Sequence, residues 1–305
     1  MMKVRDFFGR YIGMLLCAAI LLWSSAGQAA EPATGGERVL LSKYHAIKGN
    51  LEKNQFGAPI YLQSTETEGS FRVDMYGIFN YPFDTVRETL SSPANWCDIT
   101  LLHINNKACT FKTGSDYSLL TLYSGRKKYQ SPSEAYPLKL KYRMVSQQPG
   151  YLDLLLDAKE GPFRTKDHLI SLQAAPLDAS RTFVHFSFSY SNSSMTRLAI
   201  NGYFATAGQG KVGFSSVNQN GKWVYVDGVR GAVERNTVRY YLALQSYLDT
   251  LRYPESQHFE QRISRWYDLT AKYSRQLKEL EKGEYLSNKR KERKNQIALQ
   301  KKEGR

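Results

Sequence analysis

The chain has 305 residues, of which 42% are hydrophobic, and a formal net charge of +14 at pH 7. This length can bury a full single-domain core with some chain left over. In a cytosolic protein, so basic a balance would point to nucleic acid as a partner. The export signal described next excludes that partner and favours anionic lipid head groups or acidic envelope surfaces.

The first thirty residues have the pattern of a secretory signal peptide. Lys3, Arg5 and Arg10 precede an apolar run at residues 11–23, and small residues follow it. The pattern predicts a signal peptide over residues 1–30 and an exported, periplasmic protein. An uncleaved membrane anchor is the alternative, and it is less favoured because the apolar run is short for a span of about 20 residues.

Two cysteines, Cys97 and Cys109, follow the signal peptide and lie twelve residues apart. An even pair in an oxidising compartment favours one disulfide. Two free thiols or a metal site are the alternatives, and two cysteines alone are too few ligands for a structural zinc ion.

An N-terminal helical segment is predicted over residues 31–57. Within it, apolar side chains at helical spacing predict a helix over 37–53 that packs on the outside of the core. Two strands are then predicted, at residues 58–64 and 70–80.

Two short helical segments and a series of strands come next. Residues 82–90 predict a short helix, and residues 96–105 predict a helix or an ordered loop. Runs rich in strand-forming residues, broken by Gly, Pro, Asn or Asp, predict strands at 111–123, 138–145, 151–157, 164–172 and 182–190.

Apolar and polar side chains alternate along these predicted strands. Leu152, Leu154 and Leu156, for example, lie opposite Asp153 and Asp157. Such alternation predicts an antiparallel sheet that covers the core with one face and meets water with the other.

Residues 195–210 predict a short helix and a Gly-rich loop. The loop lacks the Gly-Lys-Ser/Thr ending and the following helix of a phosphate-binding loop, so it is interpreted as a turn. Strands at 211–217 and 222–226 follow it.

A long amphipathic helix is predicted over residues 228–251. Its apolar side chains recur at steps of three, four or seven, while Arg235, Arg239, Gln245 and Asp249 point away from this stripe. A helix with one apolar face after many antiparallel strands predicts an α+β fold in which the sheet curves around the helix and encloses a cavity.

The C-terminal part, beyond Pro254, has a different character. A heptad seam over residues 259–280 predicts an amphipathic helix, within a segment at 253–282, that packs on its own domain or docks to a partner or a membrane. Residues 283–305 are rich in Lys and poor in apolar residues, which predicts a basic, disordered tail.

The order of these elements over residues 58–252 resembles the START-like (helix-grip, SRPBCC-type) superfamily. Trp96-Cys97-Asp98-Ile99 and the closing-helix run from Glu234 to Tyr241 are similar to exported bacterial START-like proteins without an assigned activity. The resemblance implies a helix-grip fold that holds an apolar or amphipathic molecule between helix and sheet. Some members of the superfamily catalyse cyclisation or hydrolysis at that place.

Candidate ligand contacts follow from the predicted inner face of the sheet and the apolar stripe of the helix. The predicted lining residues are Leu140, Tyr142, Leu154, Phe186, Phe188, Tyr240, Leu244 and Tyr247. His168 and Asn236 are candidate polar anchors for the ligand. Satisfied core or surface roles are the alternatives for both.

Catalytic candidates are weaker. Asp98 with His103, or Asp167 with His168, has the composition of an acid–base pair, although loop or core roles are the simpler interpretation. There is no G-x-S-x-G or H-E-x-x-H motif, and the five histidines have no metal-ligand spacing. The sequence therefore predicts no cofactor and no metal, and it favours a binding protein over an enzyme.

The leading hypothesis is an exported START-like protein that binds a lipid or other hydrophobic small molecule, with transport of that molecule as the suggested role. A cyclase- or hydrolase-like enzyme of the same fold is one alternative. The other is an interaction module that docks to an envelope protein or an anionic membrane through the 259–280 helix and the basic tail.

Overall fold

An antiparallel sheet of eight strands organises the computed structural model, which describes residues 35–192 and 210–303. The predicted signal peptide, and most of the predicted helix and loop at 195–210, lie outside the described residues. Within the described part, no helix combines the length and the apolarity that a bilayer span requires.

The strands of this sheet lie in the order β1-β2-β8-β7-β6-β5-β4-β3, and each neighbouring pair is antiparallel. Their bounds are β1 Ile60–Thr67, β2 Ser70–Phe79, β3 Asn106–Lys112, β4 Ser118–Ser124, β5 Tyr136–Gln148, β6 Tyr151–Glu160, β7 Lys166–Pro176 and β8 Thr182–Ser191. A separate hairpin follows, with strands β9 Ser216–Gln219 and β10 Lys222–Tyr225.

The helices of the described part precede, interrupt and follow the sheet. They are α1 Gly35–Glu52, α2 Phe83–Leu90, α3 Pro93–Leu101, α4 Gly228–Asp249, α5 His258–Ala271, α6 Ser274–Leu277 and α7 Lys282–Glu303. Helix α1 covers the outer face of the sheet, where its Leu40 and Ile47 pack with Tyr76 and Phe183.

The pairing register of neighbouring strands brings apolar side chains together on the inner face of the sheet. Residues paired directly across neighbouring strands share one face, because successive side chains of a strand alternate. One such row crosses five strands and consists of Met144, Leu154, Leu172, Phe186 and Met75. Four of the five are at most 1% exposed.

Helix α4 crosses this inner face at close range. A Cβ atom on Gly77 of β2 would lie 1.9 Å from the Tyr241 hydroxyl oxygen, so only glycine permits this approach. The Tyr241 ring stacks on Phe79 at 5.1 Å between centroids.

Strands β2 to β8, with α2 and α3 inserted after β2 and α4 closing the sheet, form a helix-grip fold. Strand β1 is an additional edge strand beside β2. The predicted α+β helix-grip architecture, with a helical extension after the long helix, is confirmed.

One predicted strand was wrong in extent. Residues 111–123 form the end of β3, a turn and β4, because Gly114-Ser115-Asp116 breaks the run into a hairpin. The predicted strand at 211–217 is also wrong in extent, since β9 begins only at Ser216.

The predicted heptad seam packs against α4 of the same chain. Ile263, Trp266 and Leu269 of α5 are buried in the same core as α4. The Trp266 indole N–H donates to the carbonyl of Arg239 at 3.0 Å, and the Ser246 hydroxyl donates to the carbonyl of Arg262 at 2.8 Å. The seam is not one continuous helix, because α5 ends at Ala271 and α6 is a separate short turn.

The predicted disordered tail at 283–305 is instead helix α7 for nearly all of its length, and it lies along edge strand β3. The Gln296 side chain accepts the Cys109 backbone N–H at 2.9 Å. The Gln300 side chain accepts the N–H of Phe111 and donates to its carbonyl, both at 2.9 Å. These amides occupy backbone groups that an open sheet edge would leave unpaired.

A buried ion network fixes α7 beside β3. Glu292, fully buried, lies 2.8 Å from the Lys107 ammonium and 2.7 Å from that of Lys289. Lys289 also donates to the carbonyls of His103 and Asn106, at 2.7 and 3.0 Å. Burial lowers the pKa of Lys289 to about 8, although Glu292 acts in the opposite direction.

The predicted disulfide between Cys97 and Cys109 is confirmed. It joins α3 to β3 with a Cα–Cα distance of 4.9 Å. Closing a loop of this size stabilises a fold by roughly 2–4 kcal/mol.

We predict that Glu292→Gln lowers the free energy of unfolding by about 3–5 kcal/mol, because it leaves two buried lysines without a counter-charge. Urea denaturation followed by circular dichroism measures this. Glu284→Gln, an exposed position of the same helix, is the control and should change stability by less than about 0.5 kcal/mol. Equal effects of the two substitutions would contradict the role given to the network.

Candidate functional site

The predicted lining residues come together in one apolar core between the sheet and α4. Leu140, Leu154 and Phe186 of the sheet and Leu244 and Tyr247 of α4 are buried there. Tyr142 and Tyr240 belong to the same core, as a buried and a half-buried member. Their contact with a ligand stays a prediction.

Two of the tyrosine hydroxyls in this core already have partners in the protein. Tyr142 donates to the carbonyl of Leu90 at 2.7 Å, and Tyr247 donates to the Asn95 side chain at 2.8 Å. The first bond ties α2 to the sheet and the second ties α4 to α3, which indicates that this part of the interior is packed.

The inner face loses its cover towards one end of the sheet. Along β8, Val184 and Phe186 are 0% and 1% exposed, whereas Phe188 and Tyr190 are only half-buried. His168 of β7 lies beside them, at centroid distances of 6.0 Å from Phe188 and 5.4 Å from Tyr190. We call His168, Phe188 and Tyr190 the aromatic rim.

The His168 ring is held as a neutral group at the rim. Its Nε2 atom lies 2.8 Å from the Thr165 hydroxyl. Burial lowers the pKa of His168 to about 4, although the charge of Asp167 acts in the opposite direction. Gly161 makes room for the ring, since a Cβ atom there would lie 2.0 Å from Nε2.

A second neutral histidine, His103, lies next to α4. Its Nδ1 atom accepts the Asn105 backbone N–H at 3.1 Å, which places the ring proton on Nε2. The ring stacks on Tyr240 at 4.4 Å between centroids. Asn236 approaches this ring without completing a hydrogen bond, and Nε2 has no partner among the described residues.

The surroundings of His103 disfavour its charged form. Burial is the main cause of a pKa well below the ordinary value, and the charges of Arg239, Lys289 and Lys107 add to it. His103 therefore presents a buried N–H donor that has Asn236 nearby but no acceptor at hydrogen-bonding distance among the described residues. Such a group costs about 1–3 kcal/mol unless something accepts from it.

The two predicted Asp–His pairs do not form in the described part of the chain. Asp98 instead accepts from Arg262 at 3.2 Å, from Arg293, and from Gln296 at 3.3 Å. Asp167 accepts from the Ser191 hydroxyl at 2.6 Å. Asp98 thus joins α3 to the C-terminal helices and does not orient His103.

Metal ligands do not converge in the described residues, where no three His, Cys, Asp or Glu side chains could hold one ion. A groove of about 560 Å³ lies on the outer face of the sheet beside α1, lined by Tyr44, Lys48, Ile78 and Arg181 among others. None of the predicted site residues lines it, so we place the candidate site on the inner face.

Comparisons with known proteins find structural similarity only at low sequence identity. No family model and no curated protein matches the chain. Human StAR-related lipid transfer protein 5 is 10% identical, with a TM-score of 0.36, over 71% of this chain and 100% of that one.

Two bacterial structures are similar to the same degree. A STAR-related lipid transfer protein from Xanthomonas axonopodis is 10% identical with a TM-score of 0.39, over 62% of this chain and 93% of that one. The Zhui aromatase/cyclase from Streptomyces sp. R1128 is 11% identical with a TM-score of 0.33, over 65% and 94%. The helix-grip assignment itself depends on this chain's own strand order and closing helix.

Tyr190 and Arg239 are parts of the site that the sequence did not single out. The alternation of β8 continues through Tyr190, and that continuation was the available signal. Arg239 carries no such signal, because its burial depends on α5 and α6.

We predict that His168 makes stability depend on pH between about 4 and 6.5. As the pH falls below 6.5, the unfolded histidine takes up a proton that the folded one, with its pKa of about 4, does not. The contribution of His168 to the free energy of unfolding is therefore complete above pH 6.5. Below that pH the contribution falls by up to about 1.4 kcal/mol per pH unit.

Urea denaturation from pH 6.5 down to about 4 tests this with His168→Gln, which should make the curve less steep and leave the slope that His103 contributes. The exposed His45→Gln is the control and should leave the slope of the wild type. Parallel curves for all three proteins would show that His168 is not held neutral.

Proposed function

We propose that this protein binds a lipid or another hydrophobic small molecule between the inner face of the sheet and α4, at the aromatic rim. The observation that carries this proposal is the change in cover along β8, from fully buried Val184 and Phe186 to half-buried Phe188 and Tyr190. An apolar surface that runs from the core to a half-buried end can take up an apolar chain.

The affinity would come from apolar burial. Each Å² of apolar surface removed from water contributes roughly 25 cal/mol before the costs of association are subtracted. Half-buried aromatic rings offer such surface, and His168 is neutral, so no charged group at the rim needs to be desolvated.

A polar end of the ligand has acceptor and donor partners on the neighbouring flank of α4. The unpartnered His103 N–H and the Asn236 amide lie there, next to Tyr240. This arrangement favours an amphipathic ligand over a pure hydrocarbon, because the buried donor gains an acceptor only from the former. Export to the periplasm and a role in carrying the ligand belong to the same proposal.

We predict that Phe188→Glu weakens binding of the neutral apolar probe N-phenyl-1-naphthylamine by at least about tenfold, because it puts a charge on the proposed contact surface. Fluorescence titration measures the affinity. Ser189→Glu introduces the same charge on the opposite face of the same strand and should leave the affinity unchanged.

Both variants should melt within about 5 °C of the wild type, so that a loss of binding is not a loss of fold. Equal affinity of the two variants, or no binding by the folded wild type, would overturn the proposed function.

A further inference from the structure

Four cationic side chains surround one carboxylate on the flank of α4. Lys127 comes from the β4–β5 loop, Lys211 precedes β9, and Arg235 and Arg239 belong to α4. The carboxylate is Glu279, in the link between α6 and α7. We call the four cations the basic cluster.

Contacts within the cluster are direct. The Lys127 ammonium lies 2.8 Å from one Glu279 oxygen, and the Arg239 guanidinium lies 3.1 Å from the other. Lys211 donates to the carbonyl of Lys278 at 2.5 Å, and Arg235 donates to the carbonyl of Val212 at 3.2 Å. The last two cations therefore bond neutral carbonyls and no carboxylate.

The charges of the cluster are not balanced within the described residues. The other carboxylate that acts on Arg235 is Glu234, which already accepts the backbone N–H groups of Phe214 and Ser215. Burial, with the like charge of Arg235, lowers the pKa of Arg239 to about 10 against the pull of Glu279.

One donor of the cluster is both buried and unpartnered. Arg239 is 2% exposed, and its Nε–H has no acceptor among the described residues. Burying a guanidinium N–H without a partner is costly, and an oxyanion supplies several acceptors in the geometry that guanidinium groups prefer.

The basic cluster adjoins the polar end of the candidate site. Arg239 donates to the Asn236 side chain at 3.3 Å, and Asn236 approaches His103. Asn236 is therefore a neighbour of both the His103 ring and the Arg239 guanidinium.

We propose that the basic cluster binds a phosphate-type oxyanion, carried as the head group of the ligand, and that the Glu279 carboxylate occupies part of this anion site in its absence. The lipid source of the oxyanion rests on the proposed function, whereas the oxyanion site does not. Glu279 competes with the anion, so removing its charge strengthens binding.

The test uses the full chain and isothermal titration with three probes at low ionic strength. Dihexanoyl-phosphatidate carries both the oxyanion and acyl chains, dihexanoylglycerol carries the chains alone, and inorganic phosphate carries the oxyanion alone. The cations are removed in the double variant Lys127→Gln/Lys211→Gln, and its control is Lys128→Gln/Lys139→Gln, which removes the same two charges at exposed positions.

The competing carboxylate is removed in Glu279→Gln. Its matched control is Glu281→Gln, which removes the same charge two residues away, where the side chain is 78% exposed. Melting temperatures of all variants show that each is folded.

We expect phosphatidate to bind most tightly to the wild type. The double variant should weaken that binding by about tenfold or more, and Glu279→Gln should strengthen it by several-fold, while both controls match the wild type. Dihexanoylglycerol binding should not respond to any of these changes. The contrast between each set of variants and its charge-matched control distinguishes an occupied anion site from general electrostatic attraction, because general attraction would change by the same amount in the variant and in its control.

Other outcomes separate the two proposals. If inorganic phosphate alone binds with this variant pattern and neither lipid binds better, the oxyanion site is upheld, while its lipid source and the proposed function are overturned. If phosphatidate and dihexanoylglycerol bind equally and no variant changes either, the oxyanion site is overturned and the proposed function remains. If nothing binds to the folded protein, both are overturned.

Discussion

Helix α4 is buried on two sides, against the sheet and against the C-terminal extension. This burial on both sides limits how a ligand could enter the interior. Tyr241 closes on Gly77 of the sheet, while the backbone of Arg239 accepts from Trp266 of α5. Lifting α4 away from the sheet would break contacts on its outer side too. The aromatic rim, where Phe188 and Tyr190 are only half-buried, is therefore the entrance that the proposed function uses.

The C-terminal extension has a second effect, because its polar side chains position the loop between α3 and β3. Lys289 and Tyr285 of α7 donate to the carbonyls of His103 and Leu102. The disulfide holds the same region from the other side through Cys97 and Cys109. His103 is consequently held in place by contacts on both sides, and none of the described carboxylates hydrogen-bonds to it, which suits recognition of one polar group better than proton transfer.

Alternation in β6 and β8 and the long helical stripe were sufficient to predict the sheet, its inner face and the closing helix. Burial of apolar side chains drives those contacts, and apolar periodicity is visible in a sequence. The contacts of α7 were not predictable in this way. Gln296, Gln300 and Glu292 bind a strand edge and two lysines, and their spacing looks like that of a solvated polar run.

The sequence also could not predict which side chains bond to Asp98, and therefore that Asp98 does not pair with His103. Asp98 is five residues from His103 and bonds Arg262 and Arg293, which are more than 160 residues away in the chain. Only the tertiary arrangement decides between these partners. The same holds for Arg239. Its position outside the apolar stripe predicted an exposed helix surface, whereas its side chain lies beneath α5 and α6.

Photo-crosslinking with a diazirine-labelled acyl chain tests the location of the ligand most directly, because peptide mass spectrometry then identifies the residues it touches. The proposed site predicts crosslinks on peptides that carry His168, Phe188 or the inner side of α4. Crosslinks confined to the outer groove beside Tyr44 and Arg181, or spread over the surface without saturation, would contradict it.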